Sequence, residues 1–329
     1  MKELLVISGK GGTGKTSIVG AFAVLARDKV LADCDVDAAD LHLLLKPIIR
    51  ETHEFRGSKK AVIDQEKCVG CGRCAELCRF QAITGPTNGR TTSRTDMQQT
   101  DHSRNKSSAR GNDHAGAAGP GTILYKVDPV YCEGCEVCYH ACPRDAITME
   151  ERVSGHWFIS DTPYGPMVHA RLGIAEENSG KLVSQVRQAA RAVAEEQGSN
   201  YIIIDGPPGI GCPVISSISG VDLILAVTEP TVSGKHDLER VLELARHFGV
   251  EARVCINKYD LDVEKAAEIE RYCQDEGVKV AGKIPFDEDA VKAIMNGMSV
   301  IEYGQGPVSR AMKSIWQELD YDLKELARQ

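Results

Sequence analysis

Two kinds of residue run in this chain of 329 residues have the composition and spacing to do chemistry. The first is Gly9-Lys10-Gly11-Gly12-Thr13-Gly14-Lys15-Thr16, continued by Ser17. It fits G-x-x-x-x-G-K-[ST], with a β-branched run at Leu4–Ser8 before it and a helical period from Lys15 after it. Glycines let successive backbone N–H groups close around phosphate oxygens, and the N-terminus of the following helix adds positive potential. Lys15 is then placed to reach the β- and γ-phosphates of ATP, and the Thr16 hydroxyl to ligate Mg²⁺. The second kind is cysteine. Eight of the twelve cysteines form two tandem runs, Cys68-x2-Cys71-x2-Cys74-x3-Cys78 and Cys132-x2-Cys135-x2-Cys138-x3-Cys142-Pro143. Three thiolates two residues apart can wrap three corners of a cubane, and the fourth cysteine crosses to the other cluster. That spacing assigns Cys68, Cys71, Cys74 and Cys142 to one [4Fe–4S] cluster, and Cys132, Cys135, Cys138 and Cys78 to a second. Gly70, Gly72 and Gly134 leave the backbone room, while Arg79 stands where the first run would have proline. Zinc is the competing ion, but zinc sites draw two cysteine pairs from separate arms. With a protein ligand at every iron corner both clusters are closed, which suits electron transfer.

These residues need elements to hold them. Outside the cysteine window, β-branched runs (Leu4–Ser8, Val30–Asp33, Tyr201–Asp205, Leu223–Val227, Val254–Asn257, Val278–Ile284) alternate with helical periods (Lys15–Arg27, Lys181–Gln197, His236–Phe248, Val263–Glu276). Such alternation predicts right-handed crossovers and an α/β, doubly wound, mostly parallel sheet. The expected organisation is one discontinuous domain, residues 1–60 and 151–329, interrupted by a small cysteine-rich domain, 61–150. Within the insert, 85–122 is rich in Gly, Ser, Thr, Asn and Arg and reads as a mobile loop. Two strand ends carry carboxylates: Asp33-Cys34-Asp35-Val36-Asp37, and Asp205 before Gly206-Pro207-Pro208-Gly209. Ligands in α/β sheets bind at such carboxyl ends.

Composition narrows the partners. Lys+Arg is 39 against Asp+Glu 47, a formal charge of -8, which argues against nucleic acid or an anionic membrane as the main partner. No apolar run nears the roughly 20 residues of a membrane span, and the N-terminus enters a strand and a Gly-rich turn instead of a signal peptide. A cytoplasmic location is expected, where a reducing environment turns cysteines to metal or redox chemistry.

Together these runs resemble the MinD/ParA/nitrogenase-iron-protein superfamily of P-loop ATPases, with its deviant Walker A loop KGGTGKT, in a form that carries an inserted two-cluster bacterial ferredoxin domain. The resemblance covers nearly the whole chain. It implies that Lys10 reaches across an ATP-bound homodimer to the partner's nucleotide, a solvated loop lysine being the alternative. It implies a first switch in which Asp35 positions the attacking water and assists Mg²⁺. Asp33 and Asp37 read equally as an acidic strand end and helix cap. Tyr201–Asp205 looks like a Walker B strand, with Asp205 holding Mg²⁺ through water and Gly206–Gly209 registering the γ-phosphate. Asn257, followed by Lys258, stands where the family reads adenine, and Pro285 where its backbone lines the base.

Two departures narrow the activity. Iron–sulfur carrier ATPases of the Mrp type have a CxxC pair after the strand that carries their counterpart of Asn257; here the chain continues Lys258-Tyr259-Asp260-Leu261. MinD ends in a basic membrane-targeting helix; here 307–329 has an apolar stripe with four basic and four acidic side chains, which reads as packing on the core. Three functions remain: an ATP-switched electron-transfer protein with a redox partner, an ATPase that assembles or delivers a metal cluster to a maturation partner, and a MinD/ParA-like positioning ATPase with structural or sensory clusters. Cys212, seven residues after Asp205, reads either as a small buried apolar residue or as a cysteine meeting its symmetry mate across the dimer. Glu177-Asn178-Ser179-Gly180-Lys181 reads as a helix N-terminal turn or a nucleotide-responsive contact.

Overall fold

The structure, a computed structural model, describes residues 1–85, 125–173 and 179–326. The loop expected at 85–122, apart from Gly85, and Glu177 and Asn178 lie outside the described residues. The chain forms two compact units, Met1–Gly57 with Val153–Gln329, and Ser58–Arg152.

Strands and helices are numbered along the whole chain. The first unit contains β1 (Lys2–Ser8), β2 (Lys29–Asp33), β3 (Ile48–Phe55), β8 (Gly155–Thr162), β9 (Gly165–Leu172), β10 (Tyr201–Pro208), β11 (Leu223–Thr228), β12 (Glu251–Asn257) and β13 (Lys279–Ile284). They make one sheet in the order β13-β12-β11-β1-β10-β2-β9-β8-β3. From β13 to β9 every pairing is parallel; β8 and β3 are added antiparallel. Its helices are α1 (Lys15–Leu25), α2 (Leu41–Leu45), α5 (Ser179–Gln197), α6 (Cys212–Ile218), α7 (Val232–His247), α8 (Val263–Asp275), α9 (Glu288–Met295), α10 (Val300–Tyr303) and α11 (Pro307–Leu326).

Strand alternation divides the core. Leu4 and Val6 of β1 join the apolar cluster that contains Phe22 of α1 and Trp316 of α11, while Leu5 and Ile7 join the cluster under α5 and α7. A sheet covered on both faces accounts for the unbroken apolar runs of its central strands. The stripe of α11 is spent on this core: Val308, Met312, Ile315, Leu319 and Leu323 are buried. Among the described residues no helix is long and apolar enough to cross a membrane. The doubly wound α/β reading is borne out, with one addition. The hairpin β8–β9 and edge strand β3 were not expected: β3 is exposed over most of its length and carries Arg50, Glu51, His53 and Glu54, and β8 and β9 are only partly buried.

The second unit is a doubled motif. Its strands are β4 (Ser58–Ile63), β5 (Ile83–Thr84), β6 (Lys126–Val127) and β7 (Ile147–Arg152); β4 pairs β7 and β5 pairs β6, both antiparallel. Its short helices are α3 (Arg73–Leu77) and α4 (Val137–Ala141). The halves exchange equivalent hydrogen bonds: Asp64 N–H donates to Ala146 O, and Asp128 N–H to Ala82 O, both at 2.7 Å. Its core consists of Ala61, Ile63, Ala82, Ile83 and Ile147 with Cys74, Cys132 and Cys138.

Candidate functional site

β1 lies between β10 and β11, so the chain leaving its carboxyl end at Ser8 emerges in the middle of the sheet. The loop that follows turns through Gly12 and Gly14 at φ 77° and 92°, left-handed values that glycine adopts without steric cost. Gly14 caps α1, and a Cβ there would stand 2.6 Å from Asn257 Nδ2. Asn257 Nδ2 donates to Thr13 O at 2.8 Å, and Asn257 Oδ1 accepts from Lys258 N–H, so the end of β12 is bonded to the loop. Gly9 packs against Asp237 of α7 with no room for a side chain.

A pocket of about 1400 Å³, counted out to open solvent, opens over this loop. It brings together Gly11, Gly12, Gly14, Lys15, Thr16, Ser17, Asp35, Asn257, Lys258 and Pro285. Gly9, Lys10, Thr13 and Asp205 lie outside its lining. Residues that the sequence reading did not single out complete it: Asp40 and Leu43 on one side, Phe286 and Asp287 beyond Pro285, and Met312 of α11. Phe286 and Asp287, next to Pro285, were within reach of the motif reading; Met312 becomes part of the pocket only through tertiary packing.

Lys10, outside the pocket lining, lies beside Glu229, which follows β11. Its Nζ lies 3.5 Å from Glu229 Oε2 and 3.4 Å from both Thr231 Oγ1 and Ser233 Oγ. The other oxygen of Glu229 accepts from Lys258 Nζ at 2.6 Å, so one carboxylate bridges two lysines of the site.

Three carboxylates crowd the carboxyl end of β2, all of them buried: Asp33, Asp35 just after it, and Asp205, which pairs with Asp33 from the adjacent β10. Asp35 Oδ2 is 3.7 Å from Lys15 Nζ. Both oxygens of Asp205 and one of Asp33 are buried without a hydrogen-bond partner. Burial pushes all three above the ordinary carboxylate range; mutual repulsion adds to this at Asp33, and Lys15 opposes it at Asp35 and Asp205. The cluster is short of positive charge. Its unpartnered oxygens beside Thr16 fit a hydrated divalent cation.

In the second unit the cysteines gather as the spacing requires. One cavity of about 350 Å³, counted out to solvent, is lined by Cys68, Cys71, Cys74 and Cys142; another of about 340 Å³ by Cys78, Cys132, Cys135 and Cys138. The remaining lining is mostly apolar. Backbone N–H groups point at three sulfurs: Ala61 at Cys132, Ala82 at Cys78 and Ala146 at Cys142, at 3.5, 3.4 and 3.3 Å. Gly134 passes so close to Lys59 O that no Cβ fits. Burial raises the Cys74 thiol and pushes Cys138 up to about 11, with neighbouring cysteines adding to the effect. Among the described residues no three His, Cys, Asp or Glu close on a single ion. Four thiols set around a cavity fit a cluster better than one metal ion. Of the other cysteines, Cys34, Cys255 and Cys273 are buried and Cys212 is exposed at the start of α6.

The loop, the switch-like carboxylates and the sheet order agree with a family model, the CobQ/CobB/MinD/ParA nucleotide binding domain, that matches residues 4–300. The chain belongs to that family. Its sheet is that of a MinD/ParA-type ATPase: the septum site-determining protein MinD of Pyrococcus horikoshii, complexed with Mg-ADP, superposes with a TM-score of 0.54 at 14% identity, over 100% of this chain and 99% of that one. An uncharacterized protein of Methanocaldococcus jannaschii is 30% identical over 328 residues, 96% of each chain. The iron-sulfur cluster carrier protein of Pyrococcus furiosus is 27% identical over 141 residues, 39% of this chain and 47% of that protein.

Proposed function

We propose that this family member is an ATP-hydrolysing iron–sulfur protein in which ATP-dependent homodimerisation gates electron transfer to a protein partner. The supporting observation is the coexistence in one chain of a P-loop pocket and two four-cysteine cavities. In the pocket, N–H groups of Gly11–Thr16 cradle the phosphates and Lys15 neutralises the β- and γ-oxygens. Thr16, Asp35 and Asp205 hold Mg²⁺, directly or through water, and Asp35 orients the attacking water. Asn257, Lys258 and Pro285 flank the base. Lys10, held by Glu229, Thr231 and Ser233 in the single chain, crosses to the partner's nucleotide when two copies close. The eight cysteines hold two [4Fe–4S] clusters, which supply one-electron transfer when bound.

The test is anaerobic size-exclusion chromatography with light scattering, in a non-hydrolysable ATP analogue and in ADP, with affinity capture of partners in each state. The analogue should yield a dimer and a different set of bound proteins; Lys10→Ala should bind nucleotide and remain monomeric. A Lys10→Ala protein that dimerises normally removes the cross-dimer role, and identical partners in both states remove the gate. The likeness to an iron-sulfur cluster carrier favours a second reading, cluster delivery to a maturation client. Transfer of iron to an apo-ferredoxin acceptor at the rate of ATP hydrolysis would select it.

A further inference from the structure

The two halves of the second unit match in backbone and differ in charge. Ala82 N–H donates to Cys78 Sγ as Ala146 N–H does to Cys142 Sγ. Gly70 and Gly134 share a positive φ, as do Gln81 and Asp145. Gly72 and Glu136 occupy the same left-handed position ahead of α3 and α4, at φ 77° and 63°. Backbone dipoles therefore largely cancel when the two cavities are compared. Side chains do not. Glu133 and Glu136 line the cavity of Cys132, at the positions that Val69 and Gly72 hold in the other cavity. Arg144 lines the cavity of Cys68, where its counterpart in the other is Phe80. Glu136 is the more telling because glycine would fit its left-handed backbone without strain.

We propose that Glu133 and Glu136 hold the cluster of Cys132, Cys135, Cys138 and Cys78 at the lower reduction potential, and that Arg144 holds the cluster of Cys68, Cys71, Cys74 and Cys142 at the higher one. The inference rests on the two-cluster reading above. Reduction adds negative charge, which carboxylates oppose and a guanidinium favours. Two features act the other way. Lys60 is buried with its Nζ donating to Cys132 O at 2.9 Å, and Cys132 Sγ receives an N–H from Ala61 at 3.5 Å. With Lys60 counted, the linings still differ by two full charges in the same sense, and one long N–H···S contact is weaker than that. Glu66, Lys67 and Asp145 rim the Arg144 side from solvent, where screening is strongest, and His140 stands 3.9 Å from Glu136. The equilibrium moves one electron: the Cys132 site is oxidised, the Cys68 site reduced, and no proton or further reactant enters. A singly reduced protein thus keeps its electron on the Arg144 side.

The test is a potentiometric titration of the full-length anaerobic protein followed by electron paramagnetic resonance, after iron has been counted. Two waves are expected, at least tenfold apart in equilibrium constant, which is 59 mV for one electron. Arg144→Gln should lower the upper wave severalfold and leave the lower one in place; Glu133→Gln with Glu136→Gln should raise the lower wave only. In the unaltered protein, rising salt should narrow the gap, a readout that needs no variant. Coincident waves, or variants that move both waves equally, overturn the ordering and leave the two-cluster reading intact. A protein that takes up no [4Fe–4S] cluster overturns both.

Discussion

The nucleotide-binding unit buries large side chains on both faces of the central strands of its sheet, whereas the cysteine unit closes over five aliphatic residues and three of its own cysteines. In the first, the core exists without a ligand and the site is a loop laid on its edge. Phe22, Leu31 and Leu182 are fully buried. In the second, the residues that would bind are the core. A core so small seldom stabilises a fold by itself, and its buried thiols stay protonated until a metal displaces the protons. On the proposed two-cluster reading, one unit is a scaffold that accepts a ligand and the other a fold that a ligand completes.

The largest effect expected from this difference is on metal removal. Chelation of iron under anaerobic conditions should abolish hydrogen-exchange protection across β4, β5, β6 and β7 while β1, β10 and β11 keep theirs. Equal loss in both units would show that the cysteine unit also supports the sheet. Next, Asp35→Ala should cut hydrolysis by about 10²–10⁴, the range for removal of a general base or its equivalent, with ATP still bound and the second unit unaltered. Turnover is measured by phosphate release under saturating ATP; an unchanged rate removes Asp35 from the reaction. Lys15→Ala should weaken nucleotide binding by roughly 10–100-fold, corresponding to a lost charge-assisted hydrogen bond of about 1.5–3 kcal/mol. Calorimetry with ADP measures it, and iron content should not change.

The two units also differed in how much could be read before the structure. The P-loop and the cysteine runs are local: ligand spacing along the chain is the spacing in the site, so Lys15, Thr16 and the crossing of Cys78 and Cys142 between cavities were all legible. The six predicted strands were found because a sheet covered on both faces demands continuous apolar runs. What stayed hidden depends on contacts between distant segments. Glu229 holds Lys10 and Lys258 from the end of β11, and no motif marks it. Met312 reaches the pocket because α11 packs beside α1. β3 is exposed over most of its length and β8 and β9 are partly buried along theirs, so none of the three shows a continuous apolar run or a clean alternation.

The smallest effect separates the units by pH. His169 lies on β9, beside Asp33 of β2 in register, with Ser160 Oγ 2.9 Å from its Nε2. Burial lowers the imidazole to about 4, and His42 and Arg171 push it further in the same direction. An unfolded histidine titrates near 6.5. Between those values the unfolded chain binds a proton that the folded chain refuses at this site, so the His169 contribution to stability falls as pH falls through 6.5 and levels off below about 4. From pH 8 to 5 the His169 contribution is a loss of about 2 kcal/mol. The raised carboxyls of Asp33, Asp35 and Asp205 contribute in the opposite sense over the same range, so the His169 contribution is read as the difference between the unaltered protein and a His169 variant. Urea unfolding followed by hydrogen exchange in β9 and β2 should show His169→Gln gaining stability relative to the unaltered protein as pH falls from 8 to 5, while the acid behaviour of the cysteine unit is unchanged. A difference between the two proteins that does not change with pH would leave His169 a packing residue.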